Sequence, residues 1–178
     1  MAVSSLLLCA EEIVSQVAKP SAYDVEAAYL FNFGKFVRWP QKTAFNDTFV
    51  ICVLGQDPFG PILDKTISGE TIDGKAVIDK RISTTLDAAG CSILYISTSE
   101  AKTLNRILPS IKELPALTVS DIPDFVDRGG MIQFVVRDDR VRFQVNLKAT
   151  EQDGLALSSE LLKVAIRVKG AGGEESHP

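Results

Sequence analysis

Histidine is almost missing from this chain: of 178 residues only His177 is one, a single position from the end. Its scarcity removes the usual general base, the usual metal ligand and the partner of any Ser-His or Cys-His nucleophile pair, which disfavours an α/β hydrolase or transferase. No phosphate-cradling Gly-x-x-x-x-Gly-Lys loop and no Gly-x-Gly-x-x-Gly fingerprint occurs. Gly170, Gly172 and Gly173 sit in the tail after an expected helix, the wrong context for phosphate binding. No apolar run approaches the roughly 20 residues that cross a bilayer. With 19 basic residues scattered among 23 acidic ones and a net charge of −4, nothing offers a general attraction to nucleic acid or anionic lipid. Neither a cofactor nor a metal is expected, and an enzyme is not. Asp57, Asp64, Asp73, Asp79, Asp121, Asp124 and Asp127 read as loop and turn residues rather than a carboxylate site.

What is present is the balance of one globular domain, 46% hydrophobic and 24% charged, long enough to bury a proper core. Its densest aromatic segment is Ala27 to Pro40, which carries Tyr29, Phe31, Phe33, Phe36 and the only tryptophan, Trp39. At about 100° per residue, Asn32, Lys35 and Arg38 form a polar stripe, with Tyr29, Phe33, Phe36 and Val37 on one flank and Ala27, Phe31 and Gly34 on the other. So wide an apolar arc calls for a second neighbour, either another layer of the domain or a partner chain. Asp24 is the expected N-cap, and the helix is expected to run to about Arg38 before Pro40 ends it.

Further along, Thr48 to Leu54 and Cys91 to Ser97 are short, apolar and β-branched, as buried strands are. Ala76 to Ile82 and Ala116 to Ser120 read as further strands. Helices are expected from Pro58 to Ile67, from Glu100 to Leu114 with a kink at Pro109, and from Leu155 to Val168, with a helical turn over Ile122 to Arg128. The clearest local signal is a hairpin: Ile132, Phe134 and Val136 alternate with Gln133 and Arg137, Asp138-Asp139 turns, and Val141, Phe143 and Val145 alternate with Arg142 and Gln144. The fold class that follows is α/β: a layered α/β/α sandwich whose mixed five- or six-stranded sheet ends in an antiparallel hairpin.

Three cysteines remain. Cys52 and Cys91 sit in or at buried strands, and two readings stand for them. They are unpaired core thiols, or a bridge closing a loop of roughly 40 residues and stabilising by about 4 kcal/mol. Val3 to Ala10 reads either as the tail of a secretory signal or as the start of an amphipathic helix through Ile13, Val14 and Val17.

Six segments in this order resemble the YfiR-like family of bacterial periplasmic proteins: AAYLFNFGKFVRWP at 27–40, FVICVLGQDPFG at 49–60, CSILYIS at 91–97, LTVSD at 117–121, GGMIQFVVRDDRVRFQVNL at 129–147 and GLALSSELLKVA at 154–165. The resemblance implies an exported, non-enzymatic regulator that tends to self-associate. It also implies a partner, the periplasmic part of an inner-membrane diguanylate cyclase, whose restraint limits cyclic di-GMP and biofilm growth. It implies that Cys52 and Cys91 form a disulfide, since they match one of the two pairs of the family's best-understood member. The second, which flanks the glycine-rich turn into the hairpin, is absent, since Asp127 to Phe134 contains no cysteine.

The expected organisation is a residual export signal or disordered segment at 1–20, one domain at 21–169 and a disordered polar tail at 170–178, in a periplasmic protein. Phe33, Phe36 and Trp39 are the candidate partner or homodimer surface. The alternative function is a periplasmic domain that senses a small ligand and reports to a sensor kinase or other membrane receptor. Its pocket would be rimmed by Asn146, Ser158, Ser159 and Glu160, although capping explains Ser158 as well.

Overall fold

Ser21 opens the first helix of the computed structural model, which describes residues 20–40, 47–170 and 175–176. The Ser21 hydroxyl accepts from the Asp24 amide at 3.2 Å and the Asp24 carboxylate accepts from the Ser21 amide at 2.8 Å, a reciprocal capping box at the start of α1 (Ala22–Phe36). The cap expected at Asp24 therefore lies three residues earlier, with Asp24 as its partner in the first turn. Helix α1 stops at Phe36 because Val37 turns extended and β1 (Val37–Arg38) pairs antiparallel with β9 (Ala156–Leu157).

The chain continues through β2 (Thr48–Leu54), α2 (Pro61–Ile67), β3 (Thr71–Ile72), β4 (Lys75–Ile82), β5 (Ile93–Ile96), α3 (Leu104–Ser110) and β6 (Leu117–Ser120). It closes with β7 (Ile132–Arg137), β8 (Arg140–Asn146), α4 (Leu147–Gln152), β9, α5 (Ser159–Val164), β10 (Arg167–Lys169) and β11 (Glu175–Ser176). The large sheet has the order β11-β10-β8-β7-β6-β5-β2-β4-β3. Its centre, β4-β2-β5-β6-β7, is parallel throughout, and β7-β8 is the antiparallel hairpin. The six strands of four residues or more, β2 and β4 to β8, are the sheet expected from the sequence; the two- and three-residue strands β3, β10 and β11 lengthen its edges.

Both faces of the sheet are covered, which is why its central strands read as unbroken apolar runs. On one face Ile51 and Val53 of β2 join Ala27, Leu30 and Phe33 of α1, Leu63 of α2 and Leu161 of α5. On the other, Cys52 and Leu54 join Leu104 and Ile107 of α3, with Ile122 and Phe125. The hairpin turn places Asp138 and Asp139 at φ 51° and 56°, the paired left-handed conformation of a two-residue turn matched to strand twist.

Several helices are shorter than their apolar patterns suggest. Helix α2 begins with Pro61 rather than Pro58 in its first turn. Thr98–Glu100 forms a 3-10 turn capped by Ser97, so α3 starts only at Leu104, and Pro109 lies in its last turn. Residues 122–128 form successive turns, one of them closed by the Arg128 amide donating to the Asp124 carbonyl at 2.8 Å. The span Leu155 to Val168 splits into β9, α5 and β10. Beyond α5 the Ile166 amide donates to the Phe143 carbonyl at 3.0 Å, and Arg167–Lys169 pairs in parallel with Gln144–Asn146. The free edge of β8 carries backbone groups that need partners, and this outweighs one more helical turn.

Candidate functional site

The aromatic helix mostly serves its own domain. Phe33 is fully buried, stacked at 5.8 Å on both Tyr29 and Phe134 and edge-on to Phe143 at 5.2 Å. The other flank of the arc meets β2 and β3: Gly34 lies against Ile72 and Phe49, where a Cβ would collide with the Ile72 side chain. The wide apolar arc thus has its second neighbour within the same chain. Trp39 is half-buried, donating from Nε1 to the Ser92 carbonyl at 3.3 Å and standing edge-on to Phe49 at 5.1 Å.

Phe36 is different. It is 41% exposed and rims a groove of about 410 Å³ beside Val164, which is 60% exposed; Tyr29, Phe33 and Leu161 also line this groove, with Glu160 at its polar side. Of the three residues singled out as a partner surface, then, Phe33 lines the groove from within the core, Phe36 presents its ring to solvent and Trp39 anchors the chain after the helix. Of the four residues named for a ligand pocket, Ser158, Ser159 and Glu160 stand together at the start of α5, both serine side chains bonding the Glu160 carboxylate, whereas Asn146 serves another helix. Asn146 is buried and caps α4, accepting from the Ala149 amide and donating to the Val126 carbonyl. Ser158 caps α5, Ser159 is the first residue of that helix, and Glu160 belongs to the Phe36 groove.

A second site lies at the carboxyl ends of β5 and β6. The Tyr95 hydroxyl, at the end of a fully buried side chain, donates to Asp121 Oδ1 at 2.8 Å. Glu26 of α1 faces the same region; it is 3% exposed, and its Oε2 has no hydrogen-bond partner. Burial, reinforced by the Asp121 charge, pushes the Glu26 carboxyl up to about 8, so it holds its proton at neutral pH. The same two causes raise Tyr95 and Tyr23 above the ordinary phenol value, with Glu26 adding to both. A cavity of about 470 Å³ opens beside this cluster, lined by Tyr23, Glu26, Asp121, Pro123, Gln133 and Phe134, among others. Sequence reasoning set Asp121 aside as a loop residue and passed over Glu26. The signal was available: Glu26 stands three residues after Tyr23, four before Leu30 and seven before Phe33, on the buried stripe of its helix.

The remaining aspartates serve structure. Asp57, Asp64 and Asp79 surround Arg81 across α2 and β4, and Asp127 receives Arg167 and Lys169. Among the described residues no group of three or more His, Cys, Asp or Glu side chains is placed to hold a metal ion. Cys52 and Cys91 form a disulfide with their Cα atoms 5.8 Å apart, joining β2 to the residue that leads into its parallel neighbour β5. The turn into β7 is held by hydrogen bonds. The Met131 amide donates to Thr118 Oγ1 at 3.1 Å, and the Gln133 side chain accepts from the Val126 amide at 3.3 Å.

Layered helices over a largely parallel sheet, an inter-strand disulfide and an aromatic first helix define the class of domain. Residues 23–166 match the YfiR/HmsC-like family, and the chain belongs to it. Among solved structures its fold is similar to that of a conserved domain protein from Vibrio cholerae O1 biovar El Tor strain N16961. The TM-score is 0.58 at 11% identity, covering 84% of this chain and 60% of that one. The chain thus spans about 60% of the length of that relative, and the likeness concerns the fold alone. No curated protein matches it. No helix among the described residues is long and apolar enough to cross a membrane.

Proposed function

We propose that this chain is a non-enzymatic periplasmic regulator that binds and restrains a membrane-bound diguanylate cyclase, and that the Phe36 groove is where the cyclase's periplasmic part docks. Membership of the YfiR/HmsC-like family supports the regulatory role. The observation that carries the site is the pairing of an exposed aromatic ring with an exposed aliphatic side chain, Phe36 and Val164, over a groove whose walls belong to the rigid core. A preformed apolar slot with a ring at its rim is how interface anchors are organised, and docking there loses little conformational entropy.

The test is cyclic di-GMP in cells lacking the protein and complemented with wild type or with Phe36→Asp. Wild type should lower the dinucleotide and the variant should not, while the purified variant keeps the wild-type melting temperature. If Phe36→Asp restrains the cyclase as well as wild type does, the groove is not the docking site. If deleting the protein leaves the dinucleotide unchanged, the regulatory reading fails. Sedimentation of the same two proteins separates a homodimer contact from a cyclase contact, since only the former changes the mass of the isolated protein.

A further inference from the structure

We propose that the cavity between α1 and the carboxyl ends of β5 and β6 is a binding site for a small organic ammonium ion, with Glu26 and Asp121 as its anionic partners and Tyr23 and Phe134 as its apolar walls. The inference does not depend on the identity of the protein partner, because Glu26, Asp121 and Tyr23 line this cavity and not the Phe36 groove.

Three observations converge on this ligand class. The Glu26 side chain is buried, lines the cavity and has an oxygen without a partner, so the fold leaves an acceptor unfilled where a donor would be gained. Asp121, fixed by the Tyr95 hydroxyl, stands close enough to act electrostatically on Glu26, and among the described residues no lysine, arginine or histidine lines the cavity. A site with two carboxyl groups and no cation accepts a positive charge. Its aromatic walls then suit an ammonium carrying a carbon body, since ring faces attract cations and bury methylenes.

Position agrees with chemistry. In doubly wound sheets, ligands lie beyond the carboxyl ends of parallel strands, commonly where the strand order reverses. Here that reversal falls between β2 and β5, and it is filled: Ser99 Oγ accepts from the Gln56 amide at 3.0 Å, and Gly55 lies against Ser99 and Glu100. The open space on this edge is instead at the Glu26 cavity, beside β6 and β7.

The groups that act on Glu26 or share its site are Asp121 after β6, Tyr95 on β5 and Tyr23 on α1. Burial, reinforced by the Asp121 charge, keeps Glu26 protonated at neutral pH. An arriving ammonium replaces that proton, so one proton leaves for each cation bound. Affinity should rise about ninefold from pH 6 to 7 and about fivefold from pH 7 to 8.

The experiment titrates the full-length protein with phenethylammonium and, as the neutral isostere, 2-phenylethanol. Calorimetry is run at pH 6, 7 and 8, in two buffers of different ionisation heat. We expect saturable binding of the ammonium, close to one proton released at pH 7, a steep gain in affinity with pH, and at least a tenfold loss in Glu26→Gln and in Asp121→Asn. Equal binding of the alcohol would show a merely apolar cleft. No binding, binding without proton release, or equal competition by Ca²⁺ would each overturn the assignment. If either variant fails to fold, proton release in the wild type still decides.

Discussion

Tyr95 and Asp121 are joined across neighbouring parallel strands, the phenol of β5 donating at 2.8 Å to the carboxylate that follows β6. The bond fixes a negative charge at the edge of the core, and that charge acts on the buried Glu26 carboxyl of α1. One hydrogen bond between two strands therefore helps to set the protonation of a third element.

A stability measurement reads this directly. Glu26 has a folded value of about 8 against 4.5 for the ordinary side chain, so between those limits the native state holds a proton that the unfolded chain has released. Stability from this group is complete below pH 4.5 and is lost as pH rises toward 8, by at most about 1.4 kcal/mol per pH unit. Glu26→Gln lacks this titration. Urea unfolding from pH 5 to 9 should show the variant gaining on wild type up to about pH 8 and holding a constant margin beyond it. Parallel curves would show that Glu26 is not protonated in the fold.

The disulfide sets a second expectation. Both sulfurs are buried, Cys52 at 0% and Cys91 at 2% exposure, and the bond closes a sequence separation of 39 residues. In the chain-entropy account such a loop is worth about 4 kcal/mol. Replacing both cysteines by alanine should lower stability by about that amount, and reductant should act on wild type only under conditions that also open the core. Rapid reduction of the native protein without loss of structure would contradict this burial.

Much of the fold was legible because its strongest signals were local. Thr48–Leu54 and the Asp138-Asp139 hairpin stand where alternation and turn chemistry put them. Elements were misjudged where a tertiary contact competed with a local pattern. Apolar residues run on through Leu155 to Val168, yet the vacant edge of β8 claims Arg167–Lys169 as a strand. At the sites the limit was the assumption that charge means surface. Glu26 lies on the buried stripe of an aromatic helix, and periodicity alone placed it there. Its meeting with Asp121 and Tyr95, residues about 70 to 95 positions away, depends on sheet order and could not be read from spacing. The Phe36 groove was half-visible: the aromatic stripe announced it, but only the structure separates the exposed ring from buried Phe33.

Asp127 provides a contrasting acid. Hydrogen bonds from Arg167 and Lys169 pull its carboxyl down to about 2, the reverse of Glu26. The stabilisation is present above the ordinary value of 3.8 and fades as pH falls toward 2. Because the Asp127 side chain is 41% exposed, water and salt screen the pair. Asp127→Asn should lower stability at neutral pH by less than about 1 kcal/mol. The difference should shrink at high salt, where urea midpoints of the two proteins should draw together.

Gly130 and Gly34 make the last comparison, since each lacks a side chain for reasons of space. A Cβ at Gly130 would enter the ring of Phe125, striking three ring atoms of a side chain that is itself fully buried. At Gly34 the collision is with the terminal methyl of Ile72, which a rotamer change relieves in part, while the Phe49 ring stands 3.1 Å away. Phe125 has less freedom, because it packs in the core around α3, and its carbonyl accepts from the Gly130 amide at 2.9 Å. Overpacking of this kind costs about 1–3 kcal/mol. Gly130→Ala should fall at the upper end of that range and Gly34→Ala nearer the lower end, as read from urea midpoints at constant slope. The reverse order would mean that the turn into β7 yields more easily than the seat of α1 on β3.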